Sequence, residues 1–211
     1  MKQTFILAIL FFLSLFSCRQ KQTIEIRNEF KTYYDRFGVD GSFLLYDPQN
    51  KKYIIYNHEQ TKQFYTPAST FKICNSLIGL ESNTIKDENF VIPWDSITRN
   101  PVWDKDHNLK TAFENSVVWY YQELARRVGG KQMKYWIDKA NYGNADTSGG
   151  IDKFWLEGGL RVSAYQQIDF LQRLYENQLP FSSRSTYILK KIMIDKATLQ
   201  YVIRGKTGWG G

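Results

Sequence analysis

Three rhythms of apolar and polar positions follow one another along the chain. Residues 5–16 form an almost unbroken apolar run, too short to span a bilayer comfortably and suited to the hydrophobic region of a signal peptide. After a polar tether at 19–23, Ile26, Phe30, Tyr33, Tyr34 and Phe37 recur at helical spacing and stop at Gly38, which predicts a helix over 26–37. Residues 42–46 and 53–56 are β-rich runs on either side of Asp47-Pro48-Gln49-Asn50, a hairpin signal. Helical periodicity dominates from 69 to 192 and predicts helices over 69–80, 109–128, 131–140, 164–177 and 182–192. Pro67 precedes the first, Ser163 is a plausible N-cap for the fourth, and Pro180 separates the last two. A strand pattern returns over 198–204. The expected fold is therefore of α+β type: one antiparallel sheet interrupted by a helical subdomain, with a site in the cleft between them.

The chain has 211 residues, 43% of them hydrophobic and 16% aromatic, enough for one sizeable core and too apolar for a disordered chain. Its net charge of +7 is scattered. The pairs Lys51-Lys52, Arg126-Arg127 and Lys190-Lys191 are its densest clusters, so a solvated basic surface is expected and nucleic acid is not an expected partner.

Lys2 and the apolar run read as a leader over 1–17. Leu15-Phe16-Ser17-Cys18 resembles a lipoprotein processing box, which would make Cys18 the mature N-terminus and carry lipid there. An ordinary cleaved signal, with Cys18 incidental, is the alternative. Either way the expected location is outside the cytoplasm: periplasmic, with a lipid anchor as the membrane attachment. Cys74 is expected to be a small buried apolar residue. His58 and His107 lack ligand spacing with Cys, Asp or Glu, so they are expected at the surface and no metal is implied.

Chemistry concentrates at two places. Ser69 and Lys72 are three apart at a helix start, hence on one face, where they can act as nucleophile and base without a histidine. The helix N-terminus favours developing negative charge, and the backbone N–H of Ser69 can serve as an oxyanion donor. Lys206-Thr207-Gly208 on the final strand offers a cation and a hydroxyl to an anionic acyl substrate. An apolar setting for Lys72, of which Phe71 is the neighbour in sequence, would disfavour its ammonium form.

These motifs, taken in order with Ser116-Val117-Val118, Tyr142-Gly143-Asn144 and the run 154–164 (Phe154-Trp155-Leu156-Glu157-Gly158-Gly159-Leu160-Arg161-Val162-Ser163-Ala164), resemble the class D, oxacillinase-type serine β-lactamases from about residue 26 onward. The apolar pair after Ser116 argues against class A enzymes. The resemblance implies a β-lactamase/transpeptidase-like catalytic domain over 24–211 that hydrolyses β-lactams through a Ser69 acyl-enzyme. It implies no cofactor beyond carbon dioxide, consumed as a carbamate on Lys72 (N6-carboxylysine) that serves as general base, with Trp155 and Val118 stabilising it. Ser116 would return the proton to the leaving nitrogen and Lys206 keep the site positive. Thr207 and Gly208 would contact substrate, and the N–H of Trp209 would complete the oxyanion hole. Tyr142-Gly143-Asn144 reads as a helix-terminating turn and is given no chemistry.

A receptor-type sensor domain that is acylated but barely deacylates is the competing reading; such sensors follow several membrane helices, whereas this chain begins with one short leader. A penicillin-binding transpeptidase would lack the Trp155 run. Finally, the chain ends just after the strand that carries Lys206. The family's next two strands, closing helix and carboxylate-binding arginine are expected beyond Gly211, so the 211-residue chain is expected to be inactive.

Overall fold

Branched residues alternate with a charge in Thr23-Ile24-Glu25-Ile26, and this segment forms a strand, β1 (Thr23–Ile26), which takes in the end of the expected tether and Ile26, the first residue of the predicted helix. Ile26 fits both periods. What decides is the open edge of β3 (Lys52–Tyr56), against which β1 lies parallel with Ile26 opposite Ile55. The computed structural model describes residues 22–209, so the leader and Cys18 lie outside the described residues. The helix is confined to α1 (Lys31–Phe37) and ends at Gly38 in the left-handed region, φ 61°. β2 (Phe43–Asp47) pairs antiparallel with β3, giving the order β1-β3-β2. The Asp47 carboxylate accepts from the N–H groups of Gln49 and Asn50 and closes the predicted hairpin turn.

A short helix, α2 (His58–Lys62), leads to a 3-10 turn at Ala68–Phe71 that runs straight into α3 (Lys72–Glu81). Every residue of α3 from Lys72 to Leu80 is buried, Cys74 included as expected. Around it pack α5 (Val118–Val128), α6 (Gly130–Ala140) and α8 (Ser183–Ile192). Gly79 lets α5 come close, since a Cβ there would stand 2.9 Å from Leu124 Cδ1. Truncating a side chain in this core, Leu77→Ala for example, costs about 2–5 kcal/mol.

The helix predicted over 109–128 is two helices, α4 (Leu109–Glu114) and α5. The break is held from outside: the Trp103 indole N–H donates to the Asn115 carbonyl at 3.1 Å, and Ser116 takes a positive φ of 55°. Two short strands, β4 (Val91–Ile92) and β5 (His107–Asn108), pair ahead of α4. They draw in His107, which is buried rather than at the surface; its Nε2 donates to the Val102 carbonyl at 3.1 Å and its Nδ1 meets the Thr111 hydroxyl. Burial pulls its pKa down and keeps it neutral. His58, also expected at the surface, is half-buried against Tyr165. Ser163 caps α7 (Ala164–Tyr175) as predicted, in a capping box with Gln166.

The closing strand differs from expectation in length and partner. Residues 198–201 are a turn, and β7 (Val202–Arg204) pairs antiparallel with β6 (Ile194–Ala197), not with the 42–56 hairpin. Among the described residues there are thus three separate sheets, one of them containing a parallel pair, rather than a single antiparallel one.

Candidate active site

Ser69 sits at the centre of a turn that is fixed on both sides. Ala68, just before it, adopts φ 47°, a left-handed conformation unfavourable for a side chain with a Cβ, and its N–H donates to the Trp155 carbonyl at 3.0 Å. Thr70, just after it, donates both its N–H and its hydroxyl to the Pro67 carbonyl, at 3.0 and 2.6 Å. One turn on, Lys72 Nζ lies 2.7 Å from Ser69 Oγ.

Lys72 is fully buried and has no carboxylate partner among the described residues. Its ammonium lies over the Tyr121 ring, 5.3 Å from the centroid. That ring is held through its hydroxyl by Ser76 Oγ at 2.9 Å, and Ser76 in turn donates to the carbonyl of Lys72. Burial, with a smaller push from the charge of Lys206, brings the Lys72 pKa down to about 7. Trp155 is likewise fully buried, its ring 5.4 Å from that of Phe71, and its indole N–H has no hydrogen-bond partner among the described residues. An unpaired buried donor is costly, on the order of 1–3 kcal/mol.

The Lys206 segment closes the other side. Its Nζ reaches the Thr207 carbonyl at 3.1 Å and lies 5.9 Å from the Phe113 ring centroid, and partial burial lowers its pKa. Gly208 abuts the Ser69 turn: a Cβ there would stand 2.9 Å from Thr70 Cγ2 and 3.2 Å from the Pro67 carbonyl. The Trp209 side chain is 88% exposed. Ser116 and Val118 are half-buried at the α4–α5 break. Direct geometry therefore joins Ser69 to Lys72 and Gly208 to Thr70 and Pro67, while Lys206 is linked to Lys72 through its charge. Tyr142-Gly143-Asn144 proves to be a brace: Asn144 accepts from Arg161 N–H and donates to the Gly159 carbonyl, while a Cβ on Gly143 would run into the Arg161 carbonyl. It secures the loop that carries Trp155.

Tyr121 and Ala68 are site features that sequence reasoning missed. Tyr121 lies in the aromatic run Trp119-Tyr120-Tyr121, where nothing local marks the ring that faces the lysine. Ala68 could have been suspected only from its place beside a nucleophile on a tight turn.

Residues 41–211 match the family described as the penicillin binding protein transpeptidase domain. The probable β-lactamase YbxI of Bacillus subtilis (strain 168) is 41% identical over 88% of this chain and 67% of its own length. β-Lactamase OXA-48 of Klebsiella pneumoniae is 45% identical over 84% of this chain and 67% of its own length. Among solved structures, a class D β-lactamase from Sebaldella termitidis ATCC 33386 superposes with a TM-score of 0.85 at 40% identity, covering 90% of this chain and 76% of that one. The chain thus spans about two thirds of the length of these curated relatives.

Proposed function

The chain belongs to the class D serine β-lactamases within the penicillin-binding transpeptidase domain family, and on that premise we propose that it hydrolyses β-lactams through a Ser69 acyl-enzyme with Lys72 as the proton-handling partner. The observation that carries this reading is a buried lysine, poised near neutrality, 2.7 Å from a serine hydroxyl on a strained turn. A lysine at its ordinary pKa of 10.5 could not accept a proton at pH 7; one near 7 is about half neutral.

In the proposed acylation Ser69 Oγ bonds to the lactam carbonyl carbon, and Lys72 receives the hydroxyl proton. The lactam C–N bond breaks, and Ser116 gives its proton to the leaving nitrogen and is re-protonated from Lys72, which becomes neutral again. The N–H groups of Ser69 and Trp209 would hold the oxyanion. Lys206 and Thr207 would meet the substrate carboxylate, and Gly208 keeps that strand close to the turn. In deacylation Lys72 takes a proton from water as the water oxygen bonds to the ester carbon, and that proton passes to Ser69 Oγ as its bond to the acyl carbon breaks.

The residues fit a carbamate on Lys72. A neutral amine in a carboxylate-free pocket can add carbon dioxide with loss of a proton, and the unpartnered Trp155 N–H is a donor in want of an acceptor. When present, that group would supply the general base for both half-reactions, with Val118 and Trp155 the residues that the family resemblance assigns to stabilise it.

Intact-mass measurement on the full-length protein mixed with a penicillin tests the reading. A transient adduct, absent in Ser69→Ala, together with sustained turnover is the expected result. An adduct that persists without turnover would favour the sensor reading instead. We also propose export and lipidation at Cys18. Labelled-palmitate incorporation lost in Cys18→Ser would support it, and a soluble wild-type product starting elsewhere would overturn it.

A further inference from the structure

Gln167 lies on α7, far from Ser69 in sequence, yet its side chain reaches the nucleophile turn. Its Nε2 donates to Thr70 Oγ1 at 2.8 Å and to the Tyr142 hydroxyl at 3.1 Å. The Thr70 hydroxyl has a single proton, committed to the Pro67 carbonyl at 2.6 Å, so it receives Gln167 on a lone pair. Tyr142 is buried, its pKa pushed up by that burial, so it stays a neutral phenol. A primary amide, with two N–H groups on one nitrogen, serves both hydroxyls at once.

Two anchors therefore flank Ser69. Upstream, Ala68 N–H is tied to the Trp155 carbonyl; downstream, Thr70 is tied to α7 through Gln167. Between them Ala68 is held at φ 47°, a conformation that persists only where its surroundings impose it. The start of α7 is itself in register with the chain entering the turn, since Tyr65 and Val162 exchange both backbone hydrogen bonds, at 3.0 and 2.9 Å. The same Tyr142 belongs to the brace that secures the Trp155 loop, so Gln167 joins both anchors.

We propose that Gln167 is a positioning residue for the Ser69 nucleophile: by holding Thr70 and Tyr142 together it keeps the turn strained and Ser69 Oγ within reach of Lys72. This rests on the assignment of Ser69 as nucleophile. Without the amide, Thr70 loses its tie to α7, Ala68 relaxes towards an ordinary φ, and the serine drifts from the lysine. A displacement of about 1 Å can slow a reaction roughly a hundredfold.

The test compares Gln167→Leu, Gln167→Glu, Thr70→Val and the double variant Gln167→Leu/Thr70→Val in the full-length protein. Acylation rate constants come from rapid-quench intact mass, alongside KM, thermal midpoints and the 13C signal of labelled bicarbonate on Lys72. Both Gln167 variants should acylate about ten- to a hundredfold more slowly, with KM and the labelled-lysine signal little changed. The double variant should be no more than about twofold slower than Gln167→Leu, because both substitutions cut one tie. A merely structural glutamine would lower the midpoint and leave the folded protein acylating at the wild-type rate. That outcome, or losses that multiply in the double variant, overturns the proposal. If Gln167→Leu does not fold, Gln167→Glu, which keeps the side-chain length and loses the donors, decides alone. Absence of any wild-type adduct overturns the Ser69 assignment and this inference with it; wild-type acylation with unslowed variants overturns the inference alone.

Discussion

Lys72 and Lys206 both have a lowered pKa because of burial, yet they stand in opposite kinds of structure. Lys72 opens a helix whose next eight residues are all buried, and its neighbours are a serine, an aromatic ring and other core side chains. Lys206 follows a three-residue strand exposed along its whole length, and its amine reaches back to its neighbour Thr207. The nucleophile half of the site is thus part of the core and inherits its rigidity. The strand half rests against it at a few points, Gly208 on Thr70 among them. Changes in the first half should alter chemistry and stability together; changes in the second should alter chemistry at nearly constant stability.

The largest expected effect is that of Lys72→Met. Turnover should fall by roughly a thousandfold or more, since the serine loses its proton acceptor. Stability should move the other way. The folded pKa is about 7 against an ordinary value of 10.5, so the unfolded chain binds more protons between those limits. Wild-type stability should therefore rise with pH from 7 to 10.5. Below pH 7 the penalty for burying the ammonium is complete, with roughly 5 kcal/mol as an upper bound. In urea titrations of the full-length protein in bicarbonate-free buffer, Lys72→Met should be more stable at pH 6 and flatter over the alkaline range. Parallel pH profiles for the two proteins would show that the lysine is not depressed by its surroundings.

Trp155→Phe keeps a ring in the core and removes the unpartnered N–H. If that donor holds a carbamate, turnover at ambient carbon dioxide should drop by about ten- to a hundredfold. Added bicarbonate should recover much of the loss while the thermal midpoint changes little. Equal indifference to bicarbonate in wild type and variant would count against carbon dioxide as a participant.

In the strand half, Lys206→Gln should cost about tenfold in rate and no more than about 1 kcal/mol in stability, since the amine is only half-buried. It should also move the acid limb of the rate profile. The charge of Lys206 helps to depress Lys72, so its removal favours the ammonium and shifts that limb to higher pH. Lys206→Arg, which keeps the charge, should leave the limb where it is. A limb that shifts equally in both variants would mean that the two lysines do not sense one another.

How much of this was legible in the sequence follows from what each feature depends on. Ser69 and Lys72 could be placed because an i, i+3 spacing needs nothing beyond one helical turn, and Ser163 could be read as an N-cap because capping is equally local. The break between α4 and α5 could not, because it depends on Trp103, an indole donated from outside the helix. β1 went unread: four residues are too few to show a period, Ile26 also fits the helical spacing that follows, and only the edge of β3 settles the choice. β6 is four exposed residues and gives no pattern until β7 pairs with it. In the site, sequence named the residues proposed to react and missed Tyr121 and Ala68 beside them, whose placement exists only after folding.

The smallest predicted effect discriminates most sharply between the two halves. In Gly208→Ala the added methyl would stand 2.9 Å from Thr70 Cγ2, 3.2 Å from the Pro67 carbonyl and 3.5 Å from Thr70 N, so one side must yield by a few tenths of an ångström. Thr70 is tied to Pro67 by two hydrogen bonds and to Gln167 by a third, and the turn it closes runs into the buried α3. The segment after β7 has exposed flanks and, at Gly205, a single backbone bond to the Met193 carbonyl. The strand should therefore be the side that moves. Carrying Lys206, Thr207 and the Trp209 N–H slightly outward would raise KM and lower kcat by a few-fold each, with the thermal midpoint within about 2 °C of wild type. The labelled-bicarbonate signal of Lys72 should not change. If instead the turn gives way, the methyl acts on Ser69 directly: acylation should slow by about a hundredfold, the midpoint should fall, and the contrast between a rigid nucleophile half and a compliant strand half would be wrong.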